Sequence, residues 1–376
     1  MSAVATTARS LTVVQLIPSM HAGGAERSAL EIARALVQAG HRSVVISAGG
    51  RLVEQLLAEG SEHVTLDIGK KSISTLGRLH ALRRVLRQLR PDIVHARSRL
   101  PAWMGWWAMK GLQPRPHFVT TVHGLNSPGR YSAILLRGER IVAVSQTLRD
   151  YVLSHYRWLE PGRVRVIPRG IDPIAFPYGH RPDDAWTRAF LAQYPQLAGA
   201  PILTLPGRGT RLKGHHDGVN LIADLRRRGI DARLLLLGVI EPGREAYAEE
   251  LRVLIRSLDL ERHVVMTSAR NDVRDIYAIS ALVLQLSNKP ESFGRTVVEA
   301  LSLCRPVLGY AHGGVGELLA ELYPAGRVPP GDRERLVERA AELLRVAPAI
   351  PMLHNYRLSD MQQATLALYD EVMAER

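Results

Sequence analysis

The sequence LVLQLSNKPESFGRTVVEAL, residues 282–301, shows how the second half of the chain is built. Its first five residues are almost uniformly apolar and predict a buried strand, and the apolar residues after the glycine recur at helical spacing. The proline and the glycine between them predict a loop. Glu291 therefore lies in a loop at the carboxyl end of a strand, and Glu299 about one turn inside the next helix. Ligands of open α/β sheets bind in that crevice, so we predict a site for a polyhydroxylated, phosphorylated ligand.

Strand-like and helix-like segments alternate along the whole chain. In the first half, apolar runs predict strands at 12–17, 43–47, 63–67, 92–95, 117–122 and 140–144. In the second half, they predict strands near 201–206, 233–237, 263–267, 281–286 and 305–309. Strands separated by helices predict a parallel sheet, and strands without a polar face predict a sheet covered on both sides.

A stretch rich in proline and glycine, residues 165–200, separates the two halves and predicts a linker. We therefore predict an α/β protein with two Rossmann-like domains, 1–172 and 173–358, followed by a C-terminal helix within 359–376.

The composition excludes few functions. The net charge is +13, but only five of the 49 basic residues are lysines, and such an arginine excess can reflect genome composition. We predict no nucleic-acid partner, because charge alone suggests one and no binding module is present. The single cysteine, Cys304, excludes an internal disulfide and fits a reducing compartment. Residues 1–9 lack a signal-peptide core and no apolar run reaches about 18 residues, so we predict a cytoplasmic protein or one bound to the inner face of the cytoplasmic membrane.

Each half has a glycine-containing loop after its first strand. Gly23 and Gly24 open a helix, where the backbone can approach a phosphate and the free N–H groups attract an anion. In PGRGTRLKG, residues 206–214, Arg208 and Lys213 are suitably placed to neutralise a diphosphate. The alternatives are a plain turn for the glycines and two solvated surface cations for the basic residues.

His123 ends a predicted strand and places an imidazole at the crevice, where it can bond a sugar hydroxyl or carry a proton. His95 also ends a strand and is predicted to be structural. The pair Gly313-Gly314 follows a strand of the second half and either faces a phosphate or caps a helix.

Motifs for other chemistries are missing. No D-x-D sequence or metal-ligand cluster occurs, so we predict no metal. The G-x-S-x-G and H-E-x-x-H motifs are absent, and no G-x-G-x-x-G fingerprint follows the first strand.

Taken together, the motifs resemble the retaining glycosyltransferases of family 4, which have the GT-B fold, and among these the bacterial lipopolysaccharide-core and cell-envelope enzymes. The resemblance covers about residues 12–320. Its motifs, in family order, are Gly23-Gly24-Ala25-Glu26, His123-Gly124, Val144-Ser145, Ile167 to Asp172, Gly207-Arg208 with Lys213-Gly214, Glu291 through Glu299 as the E-x7-E signature, and Gly313-Gly314 with Glu317.

The resemblance implies two domains that face each other across a cleft, with the helix of 359–376 returning to the N-terminal domain. The acceptor would dock on the first domain, and the second would hold a UDP-, GDP- or ADP-linked sugar without a cofactor. Glu299 would bind the ribose hydroxyls, and Arg208 and Lys213 the diphosphate. Retention would follow from front-face attack assisted by the leaving phosphate, since no nucleophile for a double displacement is evident.

The resemblance also assigns the donor sugar to Glu291 and to the backbone of Phe293, Gly294 and Arg295. Gly23 and Gly24 would close over the phosphates, and His123 would contact the sugar from across the cleft. The predicted catalytic residues are thus His123, Glu291, Arg208 and Lys213. A departure from the family is Arg169 at the linker, where many members have asparagine.

A basic segment, residues 70–115, holds eleven Lys or Arg residues, one acid and three tryptophans. Its helix, predicted within 72–89, has an apolar stripe with arginines largely off it, and an ordinary surface helix is the first interpretation. The alternative is docking on anionic lipid, which favours a glycolipid or lipopolysaccharide-core acceptor. A non-catalytic sugar-nucleotide-binding protein of the same fold is the competing function.

Overall fold

A computed structural model describes residues 9–21, 23–70 and 75–375, apart from the side chains of residues 75 and 76. Two compact units are present. The first runs to Arg169 and resumes at Leu358, and the second is Gly170–Arg357. Both are α/β units, as predicted.

The first unit is built on a parallel sheet with the strand order β3-β2-β1-β4-β5-β6-β7. Its strands are β1 (Thr12–Leu16), β2 (Arg42–Ser47), β3 (Glu62–Thr65), β4 (Ile93–Ala96), β5 (His117–Val122), β6 (Arg140–Ala143) and β7 (Val164–Val166). Its helices before the linker are α1 (Gly24–Gln38), α2 (Val53–Ala58), α3 (Thr75–Leu89), α4 (Arg99–Ala108) and α5 (Gln146–His155). The strand order reverses between β1 and β4, so the loops after these two strands open a crevice at the carboxyl edge.

The second unit has a parallel sheet with the strand order β10-β9-β8-β11-β12-β13. Its strands are β8 (Ile202–Pro206), β9 (Arg233–Ile240), β10 (Val264–Ser268), β11 (Leu282–Gln285), β12 (Val307–Tyr310) and β13 (Arg327–Val328). Its helices are α6 (Asp184–Gln193), α7 (His215–Arg227), α8 (Glu245–Ser257), α9 (Val273–Ile279), α10 (Arg295–Ser302), α11 (Gly313–Leu322) and α12 (Arg333–Arg345). Here the order reverses between β8 and β11.

The last helix, α13 (Leu358–Ala374), packs within the first unit. Its Met361, Leu368 and Val372 are buried in one cluster with residues of β1 and α1 such as Val13 and Ile32. The apolar side of α1 and the end of the chain therefore share one core.

The stretch predicted as a linker is more ordered than its prolines and glycines suggested. It contains β7, which pairs in parallel with β6, and helix α6. The Asp183 side chain accepts a hydrogen bond from the Ala185 N–H at 2.6 Å and so caps α6. Trp186 stacks on Phe190 with ring centroids 5.1 Å apart. An N-cap and an aromatic pair form this helix despite the breakers around it.

In the described part of the chain, no helix has both the length and the apolar character that a membrane crossing needs.

Candidate active site

The loops after β8 and β11 meet at the switch point of the second unit. Lys213, on the loop after β8, lies with its Nζ 2.6 Å from Oε1 of Glu291, on the loop after β11. Both side chains are about three-quarters buried. The sequence placed these residues in separate motifs, and the structure joins them as an ion pair.

Glu291 is held in place from several directions. The Ser287 hydroxyl donates to the same carboxylate oxygen that Lys213 contacts. The Gly314 N–H, at the start of α11, donates to the Glu291 carbonyl at 2.7 Å. His312, just after β12, has its Nε2 2.7 Å from the Ser287 carbonyl, just after β11, and so connects the ends of these two strands. Ser287 and His312 are site residues that the sequence did not identify, because nothing in their local pattern distinguishes them from loop residues.

The glycine pair Gly313-Gly314 allows two loops to approach closely, since a Cβ on Gly314 would lie 2.5 Å from the Phe293 carbonyl oxygen. Its N–H bonds protein, not a phosphate, so the phosphate interpretation is wrong for Gly314. The pair shapes the loop that carries Glu291.

Helix α10 begins at Arg295, directly after Gly294, whose φ of 102° is in the left-handed region. The first N–H groups of a helix have no intrahelical partner and attract anions. Glu299 is 8% exposed, and its Oε1 accepts a hydrogen bond from Arg295 Nε at 3.2 Å. Phe293 is buried beside Tyr356, with ring centroids 5.9 Å apart. The predicted donor-sugar segment thus combines a helix N-terminus with a nearly buried carboxylate.

The loop after β8 brings further groups to this edge. The Arg208 side chain is exposed. Gly214 ends the loop with φ 70°, and a Cβ there would lie 1.9 Å from the Leu286 carbonyl oxygen, so glycine is needed. His215 follows, fully buried, with Nδ1 3.1 Å from the Tyr247 hydroxyl. Burial, and then the nearby Lys213 charge, lowers the pKa of His215 to about 4.

In the first unit, Gly23 and Gly24 lie exposed at the start of α1, on the loop after β1. Gly23 has extended backbone, and a Cβ there would meet the flexible Glu26 side chain. A Cβ on Gly24 would meet nothing within 4 Å. The backbone itself therefore requires neither glycine, and what they provide is space above the helix N-terminus.

His123 follows β5, with Nδ1 2.6 Å from Arg169 Nη2. The pKa of His123 is well below its ordinary value, first because of burial and then because of the positive charges of Arg169 and Arg97. His95 is buried, and its two ring nitrogens each lie 2.6 Å from a hydroxyl, that of Tyr369 and that of Thr121. Its role is that of a structural link between β4 and α13.

No group of three or more His, Cys, Asp or Glu side chains arranged to hold a metal ion occurs among the residues that the structure describes. Metal independence stays a prediction.

Two family models match the chain, Glycosyltransferase Family 4 over residues 22–174 and Glycosyl transferases group 1 over residues 190–356. The chain belongs to the family 4-like glycosyltransferases. A glycosyltransferase structure from Rickettsia africae is 27% identical, with a TM-score of 0.87 over 97% of this chain and 99% of that one. HepE of Anabaena, solved with UDP and glucose, has a TM-score of 0.78 at 20% identity over 96% and 99% of the two chains.

Among curated relatives, this glycosyltransferase is 29% identical over 300 residues to the D-inositol 3-phosphate glycosyltransferase of Kineococcus radiotolerans. The match covers 72% of this chain and 66% of that protein. An alpha-maltose-1-phosphate synthase of Mycolicibacterium smegmatis is 29% identical over 49% of this chain and 46% of its own length. The chain thus spans less than two thirds of the length of these relatives. The GT-B class predicted from the motifs is confirmed.

Proposed function

We propose that this glycosyltransferase moves a sugar from a nucleoside diphosphate sugar to an acceptor, with retention at the sugar carbon. The observation that carries the proposal is the Lys213–Glu291 ion pair at the switch point of the second unit. An ammonium has three donors, so Lys213 can bond Glu291 and a phosphate oxygen together. The carboxylate of Glu291 suits the hydroxyls of a sugar attached to that phosphate.

The remaining groups supply the other contacts in the proposal. Arg208 and Lys213 stabilise the charge that develops on the leaving diphosphate, and the N-terminus of α10 adds its N–H groups. Glu299, anchored by Arg295, bonds the ribose hydroxyls. The backbone of 293–295 binds the donor sugar together with Glu291.

The first unit is proposed to bind the acceptor. Gly23 and Gly24 give a phosphate access to the N-terminus of α1, and His123 bonds an oxygen of the donor sugar. Because HepE was solved with UDP and glucose, UDP-glucose is the first donor to test. The proposal needs no cofactor.

Calorimetric titration with UDP-, GDP- and ADP-sugars tests donor binding. We expect Lys213→Ala to weaken the preferred donor by roughly 10-fold or more, since it removes a charge-assisted hydrogen bond. Glu291→Gln should lower turnover more than nucleotide affinity, because Glu291 faces the sugar in the proposal. Arg211→Ala is the matched control: Arg211 is an exposed cation of the same loop that bonds Glu250, with Nε 3.2 Å from Oε1.

Equal donor affinity in Lys213→Ala and Arg211→Ala would contradict the site. Donor binding without nucleotide release in the presence of acceptor would favour the non-catalytic alternative.

We propose a glycolipid or lipopolysaccharide-core acceptor, reached from an anionic membrane surface through residues 70–115. The lipid contact cannot come from the apolar stripe of α3. Leu82 and Leu86 of the apolar stripe are buried in the protein, so the stripe is not a lipid-binding face. Ile73 and the side chain of Leu76 lie outside what the structure describes. Arg84 and Arg87 are exposed on α3.

Tryptophans of α4 provide the apolar part of this surface. Trp107 is 41% exposed and packs on Trp103 with ring centroids 5.0 Å apart. Arg83 Nη2 donates to the Trp107 carbonyl at 2.9 Å and so fixes α3 to the end of α4. Aromatic rings beside exposed arginines suit a lipid interface.

Vesicle flotation tests the surface. We expect recovery with anionic vesicles at low salt and little with neutral ones, and Trp107→Ala with Arg84→Ala should lower recovery several-fold. Trp158→Ala, at a 60% exposed tryptophan that packs on Tyr156, is the control. Equal recovery with neutral and anionic vesicles would remove the membrane from the proposal, and a soluble phosphorylated polyol, as the name of the Kineococcus relative suggests, would be tested next.

A further inference from the structure

Arg169, the last residue of the first unit before the chain enters the second, is 7% exposed and connects several elements of the first. Its Nη1 donates to the Ser28 hydroxyl of α1 at 2.5 Å and lies 3.9 Å from the Met361 sulfur of α13. Its Nη2 lies 2.6 Å from His123 Nδ1. One buried guanidinium therefore reaches two helices and the predicted catalytic histidine.

The chemistry of guanidinium and imidazole determines which of them donates the hydrogen bond between Arg169 and His123. A guanidinium has only donors and remains charged in proteins, so Arg169 must donate to His123 Nδ1. A ring nitrogen that accepts a hydrogen bond carries no proton. The imidazole is then neutral, and its single ring proton is on Nε2.

The surroundings reinforce this state. Arg97, after β4, is 3% exposed, and its Nε donates to Gln15 Oε1 of β1 at 2.6 Å. The charges of Arg97 and Arg169 and the neighbouring His95 all oppose protonation of His123. Glu31 of α1 and Tyr369 of α13 act on Arg97 and favour its charged form, against the larger effect of burial. The charges that Arg97 and Arg169 bring to the His123 ring are therefore both positive.

We propose that Arg169 is a positioning residue that holds His123 in the neutral Nε2–H form, so that His123 acts as a hydrogen-bond donor and not as a general base. The atom opposite Nε2 must then be an acceptor. In the reaction proposed above, on which this role rests, that atom is an oxygen of the donor sugar or of the leaving phosphate. Because the proton does not leave Nε2, donor binding does not depend on the titration of this ring.

Nitrogen-15 NMR of the full chain with labelled histidine tests the proposal without using activity. The His123 signals are assigned by their loss in His123→Gln. We expect wild-type His123 to show a protonated Nε2 and an unprotonated Nδ1 from about pH 5.5 to 8. In Arg169→Met, with no donor for Nδ1, His123 should exchange between tautomers and titrate with a pKa higher by about one unit or more.

His215 of the second unit is the internal control, since Arg169 is not among the groups that shift its pKa and its signals should stay unchanged. If Arg169→Met does not fold, Arg169→Gln gives the same information, because an amide can both donate and accept and should allow both tautomers. A wild-type His123 with the proton on Nδ1, or charged near pH 6, would overturn the proposal. So would a variant spectrum identical to the wild type.

Donor titration separates this inference from the proposed function. We expect donor affinity to be constant over the same pH range in the wild type. In Arg169→Met it should be several-fold weaker at pH 8, where the neutral ring exchanges between tautomers, than at pH 5.5, where the imidazolium again carries a proton on Nε2. If the tautomer is as stated and no nucleotide sugar binds, the function fails while the Arg169–His123 assignment stands. If donors bind and the tautomer is different, the reverse holds.

Discussion

At the residue scale, the proposed diphosphate site depends on Gly214, a position where no other residue fits the backbone. Gly214 has φ 70°, and any Cβ there would overlap the Leu286 carbonyl oxygen. It follows Lys213 directly, so the clash would move the cation of the proposed diphosphate site. Gly229 has a similar φ of 75° but nothing within 4 Å of a built Cβ. An alanine at Gly229 would therefore cause backbone strain alone, whereas an alanine at Gly214 would cause both strain and steric overlap.

We expect Gly214→Ala to lower the free energy of unfolding by about 2 kcal/mol or more and to weaken donor binding, since left-handed strain and the overlap add. Gly229→Ala should lose only about 1 kcal/mol from strain and should bind donor normally. Denaturant unfolding and donor titration of both variants measure the difference. Equal losses of unfolding free energy in the two variants would show that the backbone near Leu286 moves to accommodate the added Cβ at no cost.

At the element scale, the sequence predicted the strands well and the partners of side chains poorly. Uniformly apolar runs such as 117–122 define strands locally, because a strand buried on both faces has no polar face. The Lys213–Glu291 pair joins residues 78 apart, and its existence depends on the strand order β8-β11, which no local pattern encodes. Strand β9 continues to Ile240, past its predicted end at 237, because Ile240 pairs with Ser268 of β10 beyond a register shift in which Gly238 adopts φ 86°.

The long-range contacts of Arg169 could not be predicted from the sequence either. The sequence placed it at the linker as a departure from the family, and its side chain is buried among elements of the first unit. Ser28 and His123 become its partners only once the fold brings α1 and the end of β5 to the Arg169 side chain. What the sequence did identify was a departure from the family at the residue that turned out to contact the predicted catalytic histidine.

At the scale of the whole molecule, both units bury neutral imidazoles, and this links stability to pH. Burial lowers the pKa values of His95 and His123 in the first unit and that of His215, to about 4, in the second. The unfolded chain binds protons to these residues near pH 6.5, so below that pH it holds more protons than the folded chain. Their contribution to stability is therefore present above about pH 6.5 and is lost as the pH falls towards 4.

For His215 alone, a folded pKa of about 4 against an ordinary value of 6.5 corresponds to a loss of about 2 kcal/mol between pH 7 and 5. We expect the thermal midpoint to fall over that interval, and His215→Asn to reduce the fall by several degrees. His354→Gln, at an exposed histidine, is the control. The sign of the change in stability tests the prediction, because desolvation disfavours the imidazolium. A wild-type protein that is more stable at pH 5 than at pH 7 would mean that these rings gain acidic partners on protonation. The guanidinium, hydroxyl and ammonium groups near these rings give no reason to expect that.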